Sequence, residues 1–89
     1  MNSNKSWVLR IDPSVYKKLK KIPGDYARRI LKSIEALPND PFTGDVQKLK
    51  DEENLWRRRI GSYRIFYKID NIRNIIFVFH VERRTSSTY

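Results

Sequence analysis

The chain has 89 residues and no cysteine, which allows one domain with one modest core and excludes disulfides and thiolate metal sites. Its 39% hydrophobic and 33% charged residues fit an ordered globule rather than a disordered tail. The formal net charge is +9, with 19 Lys and Arg against 10 Asp and Glu, which asks for a polyanionic or acidic partner.

In chain order, Trp7 to Ile11 sets Trp7, Leu9 and Ile11 against Val8 and Arg10, the alternation of a short strand. Asp12-Pro13 then starts a helix, with Asp as N-cap and Pro at the first helical position. Val15, Leu19 and Ile22 recur at helical spacing, and Lys17, Lys18, Lys20 and Lys21 lie mostly off that stripe, as a solvated helix face. Pro23-Gly24 breaks the helix. Asp25 can cap the next one, where Ala27, Ile30, Leu31, Ile34 and Leu37 form an apolar stripe that Pro38 ends. A helical hairpin follows, with both apolar faces seeking one sheet.

Asn39 to Gly44 is rich in turn residues. Gln47-Lys48-Leu49-Lys50 and the acidic Asp51-Glu52-Glu53 read as an exposed connection. Leu55 to Ile60, Tyr63 to Asp70 and Ile75 to Val81 read as three strands, with Gly61-Ser62 as a two-residue hairpin turn and Asn71 to Asn74 as a looser one. The fold class expected is α+β, in the order β-α-α-β-β-β. Its antiparallel-rich sheet would carry the helical hairpin on one face, as a single domain over residues 1–89.

The charge is uneven. Residues 55–89 hold eight basic residues against two acids, and seven of the eight are arginine, the better residue for bidentate phosphate contacts. Because side chains alternate along a strand, Arg57 and Arg59 point one way and Trp56, Arg58 and Ile60 the other. Tyr63, Ile65, Tyr67 and Ile69 share one face of the next strand, and Arg64, Phe66 and Lys68 share the other. The hairpin can therefore gather Arg57, Arg59 and Arg64 into one patch. Like charges so packed repel one another unless an anion relieves them. Arg58, in phase with Trp56 and Ile60, is expected to snorkel past the edge of the helices. Trp7, Trp56, Phe66 and Phe77 read as core, with Phe66 the best exception because it shares the phase of Arg64, and His80 as a structural or edge residue. The single histidine and the scattered acids offer no metal-ligand cluster, so neither a metal nor a cofactor is expected.

Lys48-Leu49-Lys50 and the run from Leu55 through Trp56-Arg57-Arg58-Arg59-Ile60-Gly61-Ser62-Tyr63-Arg64 to Asp70 resemble the central block of RelE-type toxins. Val81-Glu82-Arg83-Arg84 and Tyr89 are similar to the C-terminal end of that family. The resemblance to the RelE/ParE toxin superfamily implies a type II toxin neutralised by a cognate RelB-like antitoxin in a heteromeric complex. It implies a ribosome-dependent endoribonuclease that cleaves mRNA in the ribosomal A site without a metal. Carried over by position, Arg57, Arg59, Arg64 and Tyr89 become the catalytic set, together with Arg83 or Arg84, two adjacent candidates for one role. Lys48, Lys50, Phe66 and Lys68 become RNA contacts. Three departures stand out: Arg58 replaces a usually apolar residue, arginines stand where the best-studied member of the family has lysines, and Glu82 replaces a common glycine.

The chemistry expected is attack of a 2′-OH on the adjacent phosphorus, with Tyr89 as base, the strand arginines on the phosphate and Arg83 or Arg84 aiding the leaving group. Two other readings stay open: a ParE-like toxin that inhibits DNA gyrase, and a basic RNA-binding module without catalysis. No apolar run approaches the roughly 20 residues that span a bilayer, and Met1 to Ser6 lack a signal-peptide core, so a cytoplasmic protein is expected.

Overall fold

A computed structural model describes residues 7–39, 41, 46–49 and 54–83. The elements run β1 Val8–Ile11, α1 Pro13–Leu19, α2 Gly24–Ala36, β2 Val46–Lys48, β3 Leu55–Ile60, β4 Tyr63–Asp70 and β5 Ile75–Arg83. The strands form one five-stranded sheet in the order β1-β5-β4-β3-β2. β1 pairs parallel with β5, and the other neighbours are antiparallel. The expected α+β order holds, with β2 added.

Residues 47–50 were expected to be wholly an exposed connection, and β2 corrects that. Gln47 and Lys48 instead pair with Arg57 and Trp56. An unpaired β3 edge would present a row of backbone donors and acceptors, and a short antiparallel segment satisfies them. Three residues are too few for alternation to announce such a strand. The backbone bond from Leu49 N–H to the Leu55 carbonyl, 2.9 Å, continues the pairing.

The helices pack on one face of the sheet. Val15, Leu19, Ile22, Ile30, Ile34 and Leu37 meet Tyr63, Ile65, Tyr67, Ile69, Ile76, Val78 and Val81 in a single buried cluster, against which Trp7 and Trp56 pack. The cap on α1 is as expected: Asp12 Oδ2 accepts from the Ser14 N–H at 3.1 Å and from the Ser14 hydroxyl. The cap on α2 is not. Pro23 occupies the N-cap position without a side-chain bond, and Asp25 lies inside the first turn, paired with Arg28 at 2.8 Å. An acid there still complements the helix dipole. Gly61, in the β3–β4 turn, has φ +57°, a left-handed conformation in which a Cβ is strained. It lets Ile60 pair directly with Tyr63.

Candidate nucleic-acid interface

The helices cover one face of the sheet and leave the other open. Register places side chains there in rows that run across strands. Arg59, Arg64 and Glu82 form one row from β3 through β4 to β5. Arg57, Phe66 and His80 form the next. Leu55, Lys68, Phe77 and Arg10 form a third, which reaches β1. The expected grouping of Arg57, Arg59 and Arg64 is therefore present, with Phe66 and Lys68 beside it.

β5 departs from simple alternation. A bulge lies opposite the step from Phe66 to Tyr67: His80 faces Phe66, whereas Val78 faces Tyr67. One extra residue on β5 turns Phe79 and His80 to the open face in succession and returns Val81 to the core. Phe77 and Phe79 stack there, with centroids 6.1 Å apart, and Lys68 Nζ stands 5.8 Å from the centroid of the Phe79 ring. The Phe66 and His80 rings are 5.5 Å apart. Phe77 and Phe66 read as core from the sequence, and both instead lie on the open face. The neighbours of Phe77, Ile76 and Val78, fill the core, and alternation turns Phe77 away.

Glu82 is the acid among these cations. One carboxylate oxygen stands 3.6 Å from Arg64 Nη1, and the other 3.2 Å from His80 Nε2. The contact to Arg64 is long for a charge-assisted hydrogen bond. Among the described residues, Arg64 Nε, a buried donor, has no acceptor. Arg64 is thus only partly satisfied within the fold, an unfavourable state that an incoming anion can relieve.

Other site expectations fall elsewhere. Arg83 pairs with Tyr63 and shares the phase of Val81, which sets it off the arginine face. Lys48 pairs with Trp56, likewise on the helix-side phase. Lys50, Arg84 and Tyr89 lie outside the described residues. Arg58 stands opposite Ile65, half-buried on the core-side phase as expected. Its charge acts on Tyr67, whose hydroxyl donates to the Pro41 carbonyl at 2.9 Å. Burial pushes the Tyr67 phenol up to about 12, and the Arg58 charge partly opposes that rise. Arg10, Phe79, His80 and Glu82 join the open face without having stood out as site residues in the sequence. Alternation of Arg10 with Leu9 and Ile11 was a usable signal; the bulge that turns His80 outward had none.

The chain matches, over residues 9–86, the family model described as the ParE toxin of type II toxin–antitoxin systems, parDE. The chain belongs to this toxin family. The toxin is 29% identical over 79 residues to a curated relative from Methanocaldococcus jannaschii named as the toxin RelE1, which covers 85% of this chain and 88% of the relative. It superposes with a TM-score of 0.79 on a chain of the archaeal RelE-RelB complex from Pyrococcus horikoshii OT3, at 26% identity over 93% of this chain and 100% of that one. A chain of the RelB-RelE antitoxin–toxin complex from Methanococcus jannaschii gives a TM-score of 0.71 at 28% identity, covering 84% of this chain and 90% of that one. The protein is thus a type II toxin of the RelE/ParE superfamily. Among its described residues no helix is long and apolar enough to cross a membrane.

Proposed function

We propose that this toxin is a ribosome-dependent endoribonuclease that cleaves mRNA and so stops translation. One observation carries the reading: Arg57, Arg59 and Arg64 come from adjacent strands onto one face at neighbouring register positions. Guanidinium groups so gathered suit the crowded charge on a phosphodiester under attack. The 2′-oxygen would form a bond to the adjacent phosphorus and the bond to the 5′-oxygen would break, leaving a 2′,3′-cyclic phosphate. The three arginines hold and neutralise the phosphate, and Tyr89 takes the 2′-OH proton. Arg84 is preferred to Arg83 as the arginine near the leaving group, because Arg83 shares the phase of the core. Phe66 and Lys68 contact the flanking nucleotides, and no metal or cofactor takes part.

Tyrosine ordinarily titrates near 10 and arginine above 12, so this set stabilises charge better than it moves protons. Positioning by the ribosome supplies the rest. A RelB-like antitoxin would cover the same cationic face in a cytoplasmic heteromeric complex, as the names of the RelE-RelB structures suggest for those proteins. The test is to mix the purified toxin with programmed ribosomes and map mRNA ends. Cleavage on ribosomes with little on free RNA is expected, and equal rates on both would overturn the ribosome requirement.

The match to a ParE family model favours a second reading, inhibition of DNA gyrase without catalysis. A supercoiling assay run beside the translation assay separates the two. Loss of supercoiling with intact mRNA would select the second.

A further inference from the structure

We propose that His80, oriented by Glu82, is the acid that protonates the leaving 5′-oxygen. The inference rests on the nuclease reading above and adds to it a residue outside the arginine and tyrosine set. Three observations lead to it. His80 is the chain's one histidine, and the β5 bulge brings it onto the arginine face, with its side chain about half exposed. Its Nε2 lies 3.2 Å from Glu82 Oε1, so a ring N–H donated there fixes the imidazole plane. The other oxygen of the same carboxylate lies 3.6 Å from Arg64 Nη1, so one side chain ties the ring to an arginine that would hold the phosphate.

Leaving-group protonation is the weakest step of the arginine and tyrosine set. A guanidinium titrates above 12 and gives up a proton far too reluctantly to serve an alkoxide. Imidazole is the side chain whose ordinary titration lies between pH 5 and 8, close to the best value for an acid working at neutrality. Its two nitrogens divide the work. With Nε2–H donated to Glu82, the second ring N–H of the protonated form, at Nδ1, can donate to the substrate, the division that serves a histidine held by a carboxylate elsewhere. Exposed ion pairs add little stability, so the Glu82 contacts are better explained as orientation.

The step balances. The 2′-oxygen bonds to phosphorus as its proton passes to Tyr89. The bond from phosphorus to the 5′-oxygen breaks, and the Nδ1 proton of protonated His80 passes to that oxygen. The products are a 2′,3′-cyclic phosphate and a 5′-OH, and His80 is reprotonated from water. The charged groups that face the imidazole are Glu82 on its own strand, Arg64 and Lys68 on β4 to either side of Phe66, and Arg57 on β3 beyond Phe66. Asp12, which follows β1, is turned to cap α1.

The experiment compares the toxin with His80→Gln on programmed ribosomes, using mRNA with either an ordinary linkage or a 5′-bridging sulfur at the cleaved position. A thiolate leaves without a proton. The variant is expected to lose about 10²–10⁴-fold in rate on the ordinary linkage and to recover wild-type rate on the sulfur linkage. Glu82→Gln should show a smaller loss with the same recovery. An equal loss on both linkages makes His80 a structural residue and overturns the proposal, as does full activity on the ordinary linkage; in either case the nuclease reading stands. If the wild-type toxin cuts neither mRNA, both readings fall together.

Discussion

The same strands build two faces that obey opposite rules. On the helix side, Ile65, Tyr67, Ile69, Ile76 and Val78 are at most 1% exposed and the contacts are overwhelmingly apolar. One residue along in each strand, Arg59 and Arg64 stand directly opposite each other, an arrangement that repels unless it is neutralised. The first face holds the fold together by excluding water. The second tolerates a local cost, and Glu82 offsets part of it by reaching Arg64. The contrast teaches that stability and site are separable in this toxin, although no residue of β4 is more than one position from either.

The largest effect that could break this separation lies in the core. Ile65→Ala should cost about 2–5 kcal/mol, because a fully buried side chain leaves a cavity. Arg59→Ala, on the exposed face, should change stability by no more than about 0.5 kcal/mol. Urea unfolding of both variants checks the pair, and comparable losses would show that the arginine face also carries the fold.

Next is Tyr67, the polar point within the apolar face. Tyr67→Phe removes a buried donor to the Pro41 carbonyl and should cost about 1–3 kcal/mol. It should also alter the alkaline limb of stability. The phenol titrates near 10 in the unfolded chain and about 12 in the fold, so the folded state favours the neutral form. Its contribution is whole below pH 10 and is lost as pH rises through 12. The free energy of unfolding, measured from pH 9 to 12, should fall more steeply for wild type than for Tyr67→Phe.

A smaller effect is expected at the turn that joins β3 and β4. Gly61→Ala places a side chain at φ +57° with its Cβ 3.0 Å from Tyr26 Cε1, and should cost about 1–2 kcal/mol. Tyr26 also packs against Tyr63, centroids 5.3 Å apart, so the loss should appear with a change in near-UV circular dichroism.

The smallest effect sharpens the comparison from the other side. Arg64→Ala should reduce by about 0.7 the slope of log affinity against log salt for a single-stranded RNA oligonucleotide, the share of one phosphate contact. Ile69→Val, in the core, should leave that slope unchanged. Equal slopes for Arg64→Ala and wild type would remove Arg64 from the RNA contacts.

Much of this was legible in the residues themselves. The stripe from Ala27 to Leu37, the alternation in β3 and β4 and the Gly61-Ser62 turn determined two helices, a hairpin and the common face of Arg57, Arg59 and Arg64. These patterns are local: a period of 3.6 or 2 is set by a chain's own backbone, and the hairpin register by its turn. What only the tertiary structure decided depends on pairing between distant segments. β2 exists because the edge of β3 is there to receive it. The β5 bulge carries no local mark, yet it turns His80 onto the arginine face and sets the phase that leaves Arg83 on the other side. Glu82 can reach Arg64 and His80 at once only because β4 and β5 meet in that register, and register between strands is a property of the assembled sheet.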